Sequence, residues 1–223
     1  MGKVISFANQ KGGVGKSTVT SFVANYIHQE YKDLKIVVVD ADDLQTSLYK
    51  IRQEELMTAE PQINEEDCYN LVKMSSKLFS DNVEILIDEY DLVFLDIPGN
   101  LKQAGVIESL MMVDVMIVPI EGTKIAMDSS IDFINFYIEN VMKIRLNSNF
   151  STKCSAVLNR VKVNSLEFKE IKNNRESFPI KIMENYFPES VIFQRGISTI
   201  NKYESDKKSF EPLIKELLEF ILN

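Results

Sequence analysis

The chain has 223 residues, 45% of them hydrophobic, and a formal net charge of −8 at pH 7. This length suffices for one sizeable hydrophobic core, so we expect a single domain over residues 1–223. The negative charge excludes a nucleic-acid-binding surface that covers the whole molecule, because non-specific affinity for DNA comes from Lys and Arg contacts to phosphate. Any contact with DNA must therefore be a local patch.

The lack of a recognisable targeting segment and the pattern of cysteines predict a protein of a reducing compartment. No stretch approaches the ~20 apolar residues needed to span a bilayer, and the amino terminus enters the first predicted strand without a signal-like segment. Cys68 and Cys154 lack metal-ligand spacing, which favours reduced thiols, and the lone His28 is predicted to be structural. We expect a cytoplasmic protein that does not bind membranes.

The first motif lies between a predicted strand and a predicted helix. Residues 3–8 are mostly apolar, and after residue 18 apolar side chains recur at helical spacing. Between them, residues 11–18 read Lys-Gly-Gly-Val-Gly-Lys-Ser-Thr. Glycines allow consecutive backbone N–H groups to turn toward one anion, and the helix amino terminus adds about half a positive charge. The pattern predicts a nucleotide-phosphate site built from Gly12, Gly13, Val14, Gly15, Lys16, Ser17 and Thr18.

Two side chains of this loop have predicted chemical roles. Lys16 is placed to reach the β- and γ-phosphates, and the Ser17 hydroxyl is placed to ligate magnesium. Gln10 occupies the position where the ordinary motif has its leading glycine. A glycine-rich turn with incidental lysines is the alternative interpretation. The predicted cofactors are ATP and Mg²⁺.

The longer segment 9–18, Asn-Gln-Lys-Gly-Gly-Val-Gly-Lys-Ser-Thr, resembles the deviant Walker A loop of the ParA partition ATPases in the ParA/MinD superfamily. The resemblance extends over essentially the whole chain. It implies that Lys11 crosses an ATP-dependent homodimer and touches the partner's phosphates. A cation from each side would offset the repulsion between two polyanions in a poorly hydrated interface.

An acidic segment follows the second predicted strand. The apolar run 35–39 ends at Asp40, and residues 40–46 read Asp-Ala-Asp-Asp-Leu-Gln-Thr. This segment resembles the family's Asp-x-Asp-Pro-Gln switch, which implies that Asp40 supports magnesium and Asp42 orients the attacking water. Asp43 replaces the proline and Gln45 comes one residue late, so Asp43 is the alternative water-orienting carboxylate. An acidic surface turn is the other alternative.

A second carboxylate follows the next buried strand. Residues 50–70 lack periodicity and include Pro61, which predicts a variable surface excursion. Asp81 and Glu84 predict a capping box for a helix that extends through residue 89. The apolar run 92–95 then leads to Asp96. Residues 96–99, Asp-Ile-Pro-Gly, resemble the family's Walker B and second switch, which implies that Asp96 holds the magnesium shell and Gly99 lies where the γ-phosphate is sensed.

The later elements include candidate base contacts. The pattern predicts strands over 113–119, 152–158 and 178–183, and a long helix over 125–142. Asn159 follows the strand at 152–158. The resemblance implies that Asn159 pairs with adenine and that Pro188 lines the adenine pocket. Because asparagine also caps loops, a structural role for Asn159 is the alternative.

Residues 210–222 place apolar side chains at helical spacing. This helix is acidic overall, whereas helices that lie on membranes present Lys or Arg to anionic lipids, so we predict that it packs on the core. Lys202, Lys207 and Lys208 precede it near the position of DNA-contacting residues in ParA relatives. We predict a local DNA-binding patch there, with a solvated face as the alternative.

These elements predict an α/β fold: a wound, mostly parallel β-sheet with helices on both faces, of the P-loop NTPase type. The resemblance implies a weak Mg²⁺-dependent ATPase that a ParB-like centromere-binding protein stimulates, acting in DNA segregation or mobile-element maintenance. It also implies the small ParA type without an amino-terminal helix-turn-helix domain. The alternatives are a MinD-like positioning ATPase on a membrane or other cargo, a ligase resembling dethiobiotin synthetase, and a nucleotide-gated binding module with little hydrolysis.

Overall fold

The computed structural model describes residues 1–42, 48–190, 198–200 and 207–223. Its six strands form one sheet in the order β3-β2-β4-β1-β5-β6, and all neighbours are parallel. The strands are β1 (Lys3–Phe7), β2 (Ile36–Asp40), β3 (Asn70–Lys73), β4 (Leu92–Asp96), β5 (Val115–Glu121) and β6 (Lys153–Asn159). The predicted parallel sheet is confirmed. Crossover helices are the connections that parallel neighbours require.

Eight α-helices are found in the described part of the chain. They are α1 (Lys16–Glu30), α2 (Leu48–Thr58), α3 (Ser76–Glu89), α4 (Val106–Leu110), α5 (Lys124–Tyr137), α6 (Lys143–Asn147), α7 (Leu166–Asn173) and α8 (Lys207–Leu222). A π-helical turn, Ile138–Met142, joins α5 to α6, and two 3₁₀ turns cover Glu65–Asp67 and Arg175–Ser177. The predicted helix over 125–142 is therefore confirmed, with its start at Lys124.

The sheet is covered on both faces, as predicted. Along β4, Val93 and Leu95 belong to a core shared with α3, α4, α5 and α7. Leu92 and Phe94 point the other way, into a core shared with α1 and α8. Because both faces are buried, the central strands are continuous apolar runs rather than alternating ones.

Two predicted elements are wrong. The helix before β4 begins at Ser76, five residues before the predicted capping box at Asp81, and the Ser75 hydroxyl caps it by accepting from the amide of Leu78. Serine is a strong amino-terminal cap, so the local signal was at Ser75 rather than at Asp81. The predicted strand 178–183 is also wrong: among the described residues it makes only a single parallel bridge, between Ala156 and Ile182.

The predicted excursion over residues 50–70 contains regular structure. Most of this segment lies in α2, the 3₁₀ turn and the start of β3. The helix was missed because few of its residues are buried, Leu48 and Arg52 among them, so its apolar periodicity is weak. Strand β3 was missed because it lies at the sheet edge and its four residues are exposed or half-buried.

Helix α8 packs on the core, as predicted. Phe210, Leu213 and Leu217 are buried in it, and its last turn is held by two lysines from strand starts. The ammonium of Lys3 donates to the carbonyls of residues 221 and 222, and that of Lys153 donates to the carbonyl of residue 220. Cations at a helix carboxyl terminus satisfy carbonyl groups that lack intrahelical partners. Within the described ranges, no helix has the length and apolar character to cross a bilayer.

Candidate nucleotide-binding site

The predicted motifs lie together at the edge of the sheet that is formed by the carboxyl ends of its parallel strands. In the strand register, Asp40 stands beside Asp96 and Glu121 stands beside Asn159. A cavity of about 1040 Å³ opens at this edge. Open parallel sheets bind ligands at this position. The predicted residues that line the cavity are Lys11, Gly12, Gly13, Gly15, Lys16, Ser17, Thr18, Asp42 and Gly99.

The loop that precedes α1 needs glycine at residue 15. Gly15 is the amino-terminal cap of α1 and has φ +89°, in the left-handed region that side chains with a Cβ disfavour. A Cβ on this residue would also stand 2.6 Å from the amide nitrogen of Asn159. Val14 is fully buried and does not line the cavity.

A buried asparagine fixes the start of the loop. The amide nitrogen of Asn9 donates to the Pro119 carbonyl at 2.9 Å and to the Ser130 hydroxyl at 2.8 Å. Its amide oxygen accepts from the backbone N–H of Lys11 at 3.0 Å. The backbone of Lys11 is thereby tied to β5 and α5. The sequence motif included Asn9, but this positioning role was not predicted.

Lys16 extends into the cavity toward Gly99. A Cβ on Gly99 would stand 3.1 Å from the Lys16 ammonium, so the side chain passes directly over this glycine. Burial lowers the pKa of Lys16, and the negative charges of Asp96 and Asp42 act in the opposite direction. A partly desolvated ammonium close to two carboxylates is suited to bind a polyphosphate.

Asp96 has the properties of a magnesium-shell carboxylate. It is buried, and its Oδ1 atom has no hydrogen-bond partner among the residues that the structure describes. Burial raises its pKa to about 7; a hydrogen bond from Ser17 lowers it, and the neighbouring charge of Asp40 raises it. Magnesium prefers oxygen ligands and would satisfy the unpaired oxygen. The Ser17 and Asp96 oxygens therefore fit the predicted ion.

Asp40 is engaged by backbone amides. Its Oδ2 accepts from the amide of Tyr49 at 2.9 Å, and its Oδ1 lies 3.4 Å from the amide of Asp42. Asp40 is fully buried, whereas Asp42 is half-buried and lines the cavity. The alternative carboxylate Asp43, and Gln45 with it, lie outside the described residues.

The two predicted base contacts lie on adjacent segments. Asn159 is buried, its amide nitrogen donates to the carbonyl of Val14 at 2.8 Å, and its amide oxygen accepts from the amide of Arg160 at 3.0 Å. Pro188 pairs with Val161 in a parallel bridge just beyond β6. In this structure Asn159 therefore joins β6 to the phosphate loop.

Several cavity residues were not predicted. They are Asn100, Leu101, Lys102, Ile107, Ser129, Phe136 and Arg160. Arg160 directly follows β6 and pairs with Glu121 at 2.6 Å, so the rule that ligands collect beyond strand ends could have identified it. Phe136 comes from the last turn of α5, and no local sequence signal distinguishes it from a core residue.

Other candidate residues lie away from the cavity or outside the description. Of the predicted basic patch, Lys202 is not described; Lys208 is exposed in the first turn of α8.

Cys68 and Cys154 are free, and burial raises the pKa of both thiols, that of Cys154 to about 12. His28 contacts the carbonyl of Asp67 at 3.0 Å.

The sequence is similar to that of a curated protein. Over 142 residues the chain is 30% identical to the chromosome-partitioning ATPase Soj of Thermus thermophilus, and the match covers 56% of this chain and 57% of that protein. The chain thus spans just over half the length of this curated relative.

Solved structures share the fold over nearly the whole chain. A putative plasmid partition protein of Borrelia burgdorferi B31, bound to AMPPNP, superposes with a TM-score of 0.65 at 18% identity, covering 98% of this chain and 99% of that one. The cell division protein MinD of Aquifex aeolicus superposes with a TM-score of 0.68 at 13% identity, covering 99% and 97%.

A family model described as the CobQ/CobB/MinD/ParA nucleotide-binding domain matches residues 5–201. This range includes the phosphate loop, both carboxylate strands and the segment around Asn159. The chain belongs to the CobQ/CobB/MinD/ParA family of nucleotide-binding domains.

Proposed function

We propose that this protein is a Mg²⁺-dependent ATPase that dimerises on binding ATP and acts in DNA partition or mobile-element maintenance with a ParB-like partner. Its family is a family of nucleotide-binding domains, and its curated relative is a chromosome-partitioning ATPase. A structural neighbour with the same fold was solved with an ATP analogue. These comparisons support ATP as the nucleotide and DNA segregation as the process.

The observation that carries the proposal is the placement of two lysines of one loop in one cavity. Lys16 passes over Gly99 and lies close to the carboxylates of Asp96 and Asp42, where it would bind the phosphates of its own subunit. Lys11 lines the same cavity, and Asn9 fixes its backbone. Lys11 would bind the phosphates of a facing subunit.

The residues of the candidate site would have different roles in hydrolysis. Mg²⁺ held by Ser17 and Asp96, with Asp40 in support, would neutralise charge on the transferred phosphoryl group. Lys16 and the loop amides bind and orient the triphosphate, and Asp42 orients the attacking water. Such a site accelerates hydrolysis by positioning and by electrostatic stabilisation, and it would be slow until a partner completes it.

Two lysine variants test the proposal. Lys16→Ala removes the ammonium aimed at the subunit's own phosphates, so ATP binding should fall by at least about 100-fold, the loss expected for a charge-assisted contact in a partly desolvated site. Lys11→Ala should bind ATP but remain monomeric. Calorimetry measures the first effect, and light scattering with a slowly hydrolysed ATP analogue measures the second. Persistent Lys11→Ala dimers, or wild-type affinity in Lys16→Ala, would contradict the assignments.

The same protein samples can show whether the cargo is DNA or a membrane. ATP-loaded wild type should be retained on DNA and not on anionic liposomes, and replacing Lys202, Lys207 and Lys208 by alanine should abolish retention. Full DNA retention by the triple variant would remove the basic patch from the proposal. Sedimentation with liposomes would favour a positioning ATPase on a membrane instead.

A nucleotide-gated binding module is the second candidate, and the departure of residues 40–46 from the family's Asp-x-Asp-Pro-Gln pattern favours it. In that case ATP binding alone would drive dimerisation. Single-turnover hydrolysis separates the two functions, because an ATPase loses rate in Asp42→Ala whereas a binding module has little rate to lose.

A further inference from the structure

An arginine is buried outside the cavity. The Arg52 side chain, in the second turn of α2, is 1% exposed. Its Nε donates to the Thr199 hydroxyl at 2.8 Å, its Nη2 donates to the Thr199 carbonyl at 3.2 Å, and its Nη1 donates to the Tyr69 carbonyl at 3.0 Å. The guanidinium also lies 4.5 Å from the centre of the Tyr69 ring. Burying a charge is costly, so a buried arginine need not add to the stability of the fold. Its role here is better described as holding α2, Tyr69 and Thr199 in one arrangement.

A second residue of α2 completes the contact with the segment 198–200. Glu55 accepts from the Thr199 amide at 2.8 Å and from the Thr199 hydroxyl at 2.6 Å. The hydroxyl of Thr199 thus accepts from Arg52 and donates to Glu55. On the other side, the Ser21 hydroxyl of α1 donates to the Ser198 carbonyl at 2.8 Å. Segment 198–200 is therefore bound to both α1 and α2.

The first turn of the same helix also donates a hydrogen bond to a carboxylate of the candidate site. The amide of Tyr49 donates to Asp40 at 2.9 Å, and Tyr49 lies one helical turn before Arg52. Asp40 in turn stands beside Asp96 in the strand register. One rigid turn of α2 thus connects the Thr199 contacts to the carboxylate pair at the sheet edge.

We propose that Arg52, Glu55 and Thr199 form a clamp that fixes α2, and through the Tyr49 amide sets the position of Asp40 beside the magnesium site. The clamp residues are positioning residues; none of them lines the nucleotide cavity. This inference rests on the proposed function for the metal, but the geometry of the clamp can be tested without nucleotide. It predicts that loosening segment 198–200 lowers the affinity for Mg²⁺ without altering the phosphate contacts.

The first experiment uses the nucleotide-free protein. Thr199→Val removes the bridging hydroxyl and keeps the side-chain shape, whereas Thr199→Ser keeps the hydroxyl. Amide hydrogen exchange at Tyr49, followed by NMR, should become at least about tenfold faster in Thr199→Val and stay within about twofold of wild type in Thr199→Ser. Unchanged exchange in Thr199→Val would overturn the clamp, whether or not the protein binds nucleotide.

The second experiment measures the Mg²⁺ concentration that half-saturates ATP binding. This concentration should rise about threefold to tenfold in Thr199→Val and in Arg52→Gln, while ATP affinity in EDTA stays at the wild-type value. Thr199→Ser should behave as wild type. If exchange at Tyr49 increases but the Mg²⁺ midpoint does not move, the link from the clamp to the metal is wrong.

Arg145→Gln is the matched control for a general loss of stability. Arg145 is also a buried arginine, 5% exposed, but its partners are Asp114 and the Met111 carbonyl, before the start of β5 at the opposite edge of the sheet. Its loss should lower stability and leave the Mg²⁺ midpoint unchanged. An equal shift of the midpoint in Arg145→Gln would show a nonspecific effect and overturn the proposal. A wild type that binds ATP without any Mg²⁺ dependence would instead contradict the proposed function.

Discussion

At the scale of single residues, close approach explains why glycine occupies position 99 of the cavity. Gly99 follows β4 by three residues and lies directly beneath Lys16. A Cβ there would meet the Lys16 ammonium at 3.1 Å and the carbonyls of Gln10 and Asn9 at 3.2 and 3.3 Å. Gly99 therefore packs closely against the phosphate loop, and a side chain at this position would crowd the contact.

Gly99→Ala should weaken ATP binding by about tenfold, since crowding a packed contact costs about 1–3 kcal/mol. The added methyl group would displace either Lys16 or the two loop carbonyls. Calorimetric titration with ATP measures the effect. Gly122→Ala is the control, because its Cβ would make ordinary contacts at 3.7 Å with Glu167 and Ile171. Wild-type affinity in Gly99→Ala would show that the loop moves freely away from this residue.

At the scale of secondary-structure elements, two buried arginines join helices to segments that are distant in sequence. Arg145 of α6 pairs with Asp114 at 2.9 Å, and Asp114 also accepts from the amide of Val4 at 3.0 Å. This contact joins α6 to the start of β5 and to β1. The clamp on α2 has the same character, with a buried guanidinium between elements distant in sequence.

Arg145→Gln should lower the free energy of unfolding by about 2 kcal/mol. Breaking a buried pair costs about 3–5 kcal/mol, and we expect less here because the Asp114 side chain is 38% exposed and can be hydrated. Urea denaturation measures the change. Lys215→Ala, which removes an exposed pair with Glu211, should change stability by less than about 0.5 kcal/mol. Equal effects in both variants would contradict the role of burial.

The elements differ in how far the sequence predicts them. Strands β2 and β4 are short apolar runs that end in Asp40 and Asp96, so both the strands and the carboxylates at their ends were predictable. Strand β3 was not, because an edge strand with exposed residues has no distinct apolar pattern. Cavity residues from the phosphate loop were predictable, whereas Phe136 and the contacts of Arg52 depend on tertiary packing between segments far apart in sequence.

At the scale of the whole molecule, the cores contain ionisable groups that resist ionisation. Burial raises the pKa of Tyr69 to about 12 and raises the pKa of Tyr137 as well. Both residues are fully buried, one on each face of the sheet. In the unfolded chain a tyrosine ionises near pH 10, so folding must keep these two groups protonated at alkaline pH.

Stability should therefore fall as pH rises above about 10. The unfolded state loses the tyrosine proton near pH 10 and the folded state holds it to about 12, so each such group destabilises the fold by about 1 kcal/mol at pH 11. Urea denaturation from pH 8 to 11 measures this loss. Tyr69→Phe should flatten the decline, and an identical slope in that variant would show that Tyr69 ionises in the native protein.

The lysines that hold the end of α8 have a practical consequence. Lys3 and Lys153 begin their strands, so the last turn of α8 lies across the molecule from the mouth of the nucleotide cavity. A fluorophore attached after Asn223 would thus sit outside any face-to-face contact between cavities. Fluorescence anisotropy from such a label can report association of two subunits without obstructing it.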